Sequence, residues 1–394
     1  MNLDIVFAII FYGAIILYFL THRKKFEIQN KIIALYKTKI GLKLMDKFSK
    51  VAPKFLRVLG IIGIGIGFIG MITIFVFLTK GLINLFMDPA AKATIGLVLP
   101  GIRIPGAPVY VPFWYGIISI FVVAVIHEFS HGVVARLYNI KIKSSGIAFF
   151  GPILAAFVEP DEKQLSKKSK SAQLSIFAAG PFSNILTAGV VGLLLLFLIM
   201  PFAASILESE GVQISGLEKN YPLERAGVTE GELIEEVNSV PIKNVDDFVE
   251  VMSEIKSDQI VILKTNRTLY NVVAFEHPKI EGKGYLGVVV APYITRLKEN
   301  VVSKFGDKLP WAIFGFSKLL GWIFALSLGI GLVNLLPLGP VDGGRMFHLV
   351  SLHFLKDEKK SKKVWGWMSF VSLMLIILNI TFPYLRKLFN WLLG

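Results

Sequence analysis

Cysteine is absent from all 394 residues. That excludes disulfide frameworks, a cysteine nucleophile and zinc–thiolate sites. Charge is scarce too: 18% of residues are Asp, Glu, Lys or Arg, where a soluble domain has about 25%. With no cysteine and only six histidines, any metal must be held by His, Asp or Glu. What is abundant is apolar surface, 54% of residues. It is too much to leave unburied, so intrinsic disorder is excluded for most of the chain. The net charge of +14 raises nucleic acid as a partner. The basic residues track the ends of apolar runs, however, which fits topology signals in a lipid bilayer and no nucleic acid.

Six runs are long and apolar enough to cross the hydrocarbon core, which takes about 20 residues each: residues 3–20, 58–78, 113–138, 174–202, 311–338 and 364–382. The expected fold class is therefore an α-helical polytopic membrane protein. The first run carries Asp4 and no basic residue at its front end, and Arg23, Lys24 and Lys25 follow it. This is the reverse of a cleavable signal, and it reads as an anchor. Residues 21–57 carry eleven Lys/Arg, residues 139–172 six and residues 356–363 five. If every run crosses once, all three segments share one side, expected to be cytoplasmic. The segment 23–57 reads equally as a surface-lying amphipathic helix or a plain topology signal.

Between the fourth and fifth runs the character changes. Residues 203–291 hold fifteen Asp/Glu and eight Lys/Arg. Short β-type runs at 212–215, 233–237, 260–265 and 269–275, with one amphipathic helix over 245–255, predict a small α+β domain on the opposite, external side.

The third run contains His127-Glu128-Phe-Ser-His131. On a helix, histidines four apart lie on one face and can share one metal ion, while Glu128 flanks it as a candidate general base. H-E-x-x-H alone is a weak pattern. Three ionisable groups within five positions of a membrane helix sharpen it, because each costs about 2.5–3.5 kcal/mol without a partner or a function. A third ligand is needed. The fifth run ends in Asn334-Leu-Leu-Pro337-Leu-Gly-Pro340-Val-Asp342-Gly343-Gly344. Such broken backbone at membrane depth is tolerated only where it faces protein or a watery cavity, which puts Asp342 in such a place. The fourth run contributes Gly180-Pro181-Phe-Ser-Asn184. The Asn184 amide either lines the site, holding substrate backbone or a developing oxyanion, or makes an interhelical hydrogen bond.

Together H-E-F-S-H, G-P-F-S-N and N-L-L-P-L-G-P-V-D-G-G resemble the site-2 protease family of zinc intramembrane metalloproteases. The resemblance covers three of the six runs, and the first two lie outside it. It implies one Zn²⁺ per chain held by His127, His131 and Asp342, with Glu128 as general base. It implies substrate or oxyanion roles for Asn184, Asn334, Gly151 and Pro152, the last two in a hairpin loop over residues 146–158. It also implies substrates that are transmembrane proteins, cut by regulated intramembrane proteolysis. In the external segment, P-L-E-R-A-G-V-T-E-G-E-L-I-E-E-V-N from Pro222 to Asn238 resembles the core of bacterial-type PDZ domains. There Gly284-Tyr285-Leu286-Gly287-Val288 resembles a carboxylate-binding loop and groove strand. The expected organisation is residues 1–112, two N-terminal helices with the basic segment; 113–202, the first half of the catalytic core; 203–292, a PDZ-like domain; and 293–394, the second half of the catalytic core with the last span.

Three rivals are weighed. A membrane zinc protease that takes a Glu ligand from a soluble domain is disfavoured by Asp342 at a broken span. A non-enzymatic scaffold is disfavoured by the intact His127, Glu128, His131 and Asp342. A transporter would show an inverted hydropathy repeat, and none is evident.

Overall fold

The computed structural model describes residues 3–29, 33–88, 91, 93–104, 107, 109–150, 153–278, 280–306 and 308–393. They divide into two compact units, one of residues 1–195 and 317–394, the other of residues 196–316.

The first unit opens with α1 (Leu3–Thr21), followed by strands β1 (Glu27–Gln29) and β2 (Ile33–Thr38). Helix α2 (Leu42–Val51) is amphipathic and buries Met45 and Ser49. Helix α3 (Pro53–Met87) starts with proline in its first turn, where no amide is needed. Then come α4 (Phe113–Leu137), the strands β3 (Ile142–Phe150) and β4 (Ile153–Pro160), and α5 (Glu162–Ser166), capped by the Asp161 carboxylate. Helix α6 (Lys170–Leu194) carries Pro181 inside it and runs on into a π turn. The buried face of α3 is lined by Gly60, Gly63, Gly67 and Gly70, which let it lie close against Ser175, Phe182, Met346 and Leu335. Small residues are how membrane helices approach one another.

The four strands form one antiparallel sheet in the order β1-β2-β3-β4. Lys37 of β2 sits opposite Gly146 of β3, and Ala148 of β3 sits opposite Ala155 of β4. The basic segment is thus more than the two alternatives read from its charge. It does contain an amphipathic helix, α2, but its first half is a hairpin that extends the sheet. Lys37 bridges Glu27 at 2.8 Å and Glu159 at 3.0 Å, tying β1, β2 and β4 together.

The second unit holds α7 (Met200–Ile206), β5 (Leu207–Leu217), α8 (Pro222–Arg225), β6 (Leu233–Val237), β7 (Val240–Pro241), α9 (Val245–Glu254), β8 (Ile260–Thr265), β9 (Leu269–Val273), β10 (Phe275–His277), β11 (Ile280–Tyr285), β12 (Val288–Leu297) and α10 (Glu299–Phe305). Its main sheet runs β12-β5-β6-β8-β9, with β7 on β6, and β10 pairs β11. This is the α+β character expected of the segment. Val212, Ile214, Leu223, Ile234, Val237, Phe248, Val261, Leu263 and Leu286 make one core. Inside it lies a charged group, Glu232, with 1% of its surface exposed. Oε1 accepts from the Thr229 amide and hydroxyl, both at 2.9 Å, and Oε2 accepts from Thr265 at 2.8 Å and Tyr270 at 3.1 Å. Asn244 and Asp247 cap α9 reciprocally.

The chain then enters α11 (Lys308–Asn334), and α12 (Asp342–Leu355) and α13 (Glu358–Leu393) complete the first unit. Among the described residues six helices are long and apolar enough to cross a membrane, as expected: Leu3–Thr21, Pro53–Met87, Phe113–Leu137, Lys170–Ala203, Pro310–Asn334 and Glu358–Arg386. The fifth stops at Asn334 and not at residue 338. Pro337 cannot continue the hydrogen-bond ladder, and Leu335 and Leu336, fully buried, turn inward as core.

Candidate active site

Helix α4 presents His127 and His131 one turn apart on its inner face. Their Nε2 atoms lie 3.2 Å from each other. The Asp342 Oδ2 atom lies 3.1 Å from the first and 3.2 Å from the second. The three side chains are only 9%, 13% and 16% exposed. Among the described residues this is the group of His and acidic side chains close enough to hold a metal.

Asp342 reaches the histidines because the chain breaks between α11 and α12. The turn is irregular, with the Leu338 amide bonded to the Leu336 carbonyl at 2.7 Å. Gly343 and Gly344 then bring the first turn of α12 against the carbonyls of Leu335 and Leu338, where any Cβ would overlap backbone. Asp342 opens the helix, and Val341 is its N-cap.

The donor set fits the Zn²⁺ that the sequence resemblance implies. Two donors about 2.0–2.1 Å from one tetrahedral zinc lie about 3.3 Å apart, close to the 3.1–3.2 Å separations here. The ring nitrogens facing away are pinned, as ligand histidines require. His131 Nδ1 donates to the Ile176 carbonyl at 2.7 Å, which leaves Nε2 bare. His127 Nδ1 lies 3.0 Å from the Asn184 amide, whose Oδ1 has no other partner. With Oδ1 turned to that position, it accepts the Nδ1 proton and frees Nε2. Gly180 of α6 packs directly on both imidazoles, and a Cβ there would collide with both Nε2 atoms. Glycine keeps that space open.

Glu128 points to the sheet. Its Oε2 accepts a hydrogen bond of 2.8 Å from the Val158 amide of β4. Asn184, expected either to line the site or to bond between helices, is fully buried behind the His127 ring. Asn334 stands half-buried at the end of α11 and makes no hydrogen bond to the triad among the described residues. Gly151 and Pro152 lie outside the described residues, although β3 and β4 on either side form the hairpin expected there. The Tyr285 hydroxyl donates to Glu218 at 2.9 Å, Leu286 is core, and Gly287 turns with φ +71°. Three contributors were not read from the sequence: the carbonyl of Ile176, the amide of Val158 and the bare Cα of Gly180. The first two are backbone groups and leave no mark in a sequence.

Residues 115–378 match the model of peptidase family M50. An uncharacterized protein of Methanocaldococcus jannaschii is 30% identical over 376 residues, covering 91% of this chain and 89% of that relative. The regulator of sigma-W protease RasP of Bacillus subtilis is 25% identical over 273 residues, covering 59% of this chain and 63% of its own length. The zinc metalloprotease RasP of Shouchella clausii is 25% identical over 284 residues, covering 60% of this chain and 65% of its own length.

Proposed function

As the chain belongs to peptidase family M50, the site-2 protease family of zinc metalloendopeptidases, we propose that it hydrolyses peptide bonds within or near transmembrane helices of membrane-protein substrates. His127, His131 and Asp342 are the zinc ligands in this reading, and Glu128 is the general base. The convergence of two Nε2 atoms and one carboxylate oxygen within 3.2 Å of one another carries it.

When bound, zinc supplies Lewis-acid activation of water and of the scissile carbonyl. The chain's own groups do the rest. Glu128 takes the proton of the attacking water and returns it to the leaving amine. The Val158 amide holds one oxygen of that carboxylate and so orients the other. Ile176 and Asn184 fix the two imidazoles. Transmembrane helices hide their amides in internal hydrogen bonds, so a substrate must unwind before it is cut. β4 is the outer strand on the Glu128 side. In an antiparallel strand alternate residues direct their backbone groups outward, which on this edge are Val158, Ala156 and Leu154. An unwound segment is received there by strand addition. Asn334, Gly151 and Pro152 are assigned substrate or oxyanion contacts in this reading.

The active site belongs on the cytoplasmic side, where the basic segments lie, and the second unit on the other side. That unit is a PDZ-like domain that gates or reads substrates. Its support is the strand β12 at the end of the sheet, preceded by the turn at Gly287 and followed in space by α9. Tyr285, Leu286 and Gly287 form its carboxylate-binding loop.

The test is cleavage of a tagged single-span substrate by purified protein in detergent. Wild type should cut, and chelator should stop it. Glu128→Gln should keep zinc while losing about 10²–10⁴-fold in rate. Full cleavage by Glu128→Gln would refute the general base. Full cleavage by a zinc-free protein would refute the mechanism.

A further inference from the structure

A second cavity, about 570 Å³ in volume, lies where α5, α6, α12 and α13 meet. Glu162, Phe177, Pro340, Arg345, His348 and Trp365 are among its lining residues. None of them takes part in the chemistry above. The walls are largely apolar, and the polar groups they carry include Arg345, His348 and the Trp365 indole beside the acid Glu162. The Arg345 guanidinium stacks 5.6 Å over the Phe177 ring. Its acidic neighbour, Glu162, is 3.5 Å away and has a side chain 74% exposed, a loose pair that exchanges easily. The Trp365 indole N–H and His348 Nε2 are buried with no hydrogen-bond partner among the described residues, on rings 5.0 Å apart. An indole N–H can only donate, and a buried donor left unmet costs about 1–3 kcal/mol. A buried donor without a partner in the fold calls for one from outside it, a water, an ion or a ligand.

The surroundings say which acceptor. Two membrane-spanning helices, Lys170–Ala203 and Glu358–Arg386, both begin beside this cavity. It therefore sits at the depth of lipid headgroups. Lysines crowd the same level: Lys163, Lys167, Lys168 and Lys170 before and at the start of α6, and Lys359, Lys360, Lys362 and Lys363 at the start of α13. Lys170 also reaches His353 of α12 at 3.2 Å. A basic pocket between membrane helices, with an arginine fork and apolar walls, matches an acidic headgroup carrying acyl chains.

We propose that this cavity binds the phosphate of an anionic phospholipid, held by Arg345 and the Trp365 N–H. The ligand links α13 to α12, the helix that opens with Asp342.

The test is native mass spectrometry of the full chain released from micelles that contain phosphatidylglycerol or phosphatidylcholine. Wild type should retain one phosphatidylglycerol and shed phosphatidylcholine. Arg345→Gln and Trp365→Phe should each weaken that retention by about tenfold or more, the value of one charge-assisted hydrogen bond. Zinc content serves as the check on folding. Should Arg345→Gln lose zinc, Trp365→Phe, which removes the N–H and keeps a six-membered aromatic ring, decides alone. Equal retention of the two lipids, or unaltered retention by the decisive variant, would overturn the proposal. Displacement of phosphatidylglycerol by inorganic phosphate at matched concentration would overturn the lipid and leave a free-anion site.

Discussion

Two enclosed carboxylates among the described residues, Glu232 and Asp342, one in each unit, are held in opposite ways. Glu232 in the second unit accepts from two threonines and a tyrosine as well as a backbone amide, so both its oxygens are satisfied. Asp342 in the first unit faces the Nε2 atoms of two imidazoles whose far nitrogens are held by the Ile176 carbonyl and the Asn184 amide. The first carboxylate is complete in itself. The second is completed, in the reading proposed above, by a cation. Burial of charge by itself therefore does not mark a functional site. The supply of donors does: a full set means structure, and a set that converges on bare lone pairs means a metal.

Removing the two acids in turn breaks the contrast most sharply. Asp342→Ala or His127→Ala should release the zinc and lower cleavage by roughly 10³-fold or more, with the second unit still folded. Zinc stoichiometry by elemental analysis checks this, and an unchanged value would remove the residue from the ligand set. Asn184→Ala removes the group behind His127 and leaves the ligands in place. It should weaken zinc about 10–100-fold, read by competition with a chromophoric chelator. No change would mean that the orientation of His127 is set elsewhere.

Glu232→Gln should do the reverse. Zinc and cleavage stay, while the second unit loses about 1–3 kcal/mol as four donors lose their charged acceptor. Hydrogen exchange of β6 and β8 in the full chain measures it. The smallest effect is that of pH. Burial pushes the Glu232 carboxyl up, but the hydrogen bonds from Thr265, Thr229 and Tyr270 outweigh it, so its pKa lies below the usual carboxylate value. A depressed folded-state pKa means stability that is present above the ordinary carboxylate range and is lost as pH falls through the folded value. Protection of β6 should fade on acidification in wild type and fade less in Glu232→Gln. Equal fading would show that Glu232 is not the group responsible.

The centre of the site was legible because its geometry is local or punctuated. Spacing of four on a helix brings His127 and His131 together whatever surrounds them. Pro337, Pro340 and the paired glycines advertise the break that admits Asp342. The spans and the strands of the second unit were legible from period and length, and the end of the fifth span was misread because Leu335 and Leu336 are as apolar as a membrane stretch while serving as core. The hairpin of β1 and β2 was hidden. Its lysines read as topology signals, and its partner strand is remote, with Thr38 bonding Ser145 across 107 positions. Short strands acquire their identity from the edge they meet, and nothing near residue 33 records which edge that is.

That remoteness fixes an order of events at the ribosome. β2 is made before α3 and α4, and β3 only after both, so the hairpin waits through two complete membrane insertions with one edge unpaired. An unpaired edge is a template for any passing strand. Here the strand that fills it is also the one that leads into β4 and the amide of Val158. The carboxylate of Glu128 can therefore gain its anchor only once β4 has been made. A nascent fragment that already contains His127, Glu128 and His131 has neither that anchor nor Asp342, so the cluster of His127, His131 and Asp342 can assemble only once α12 has been made.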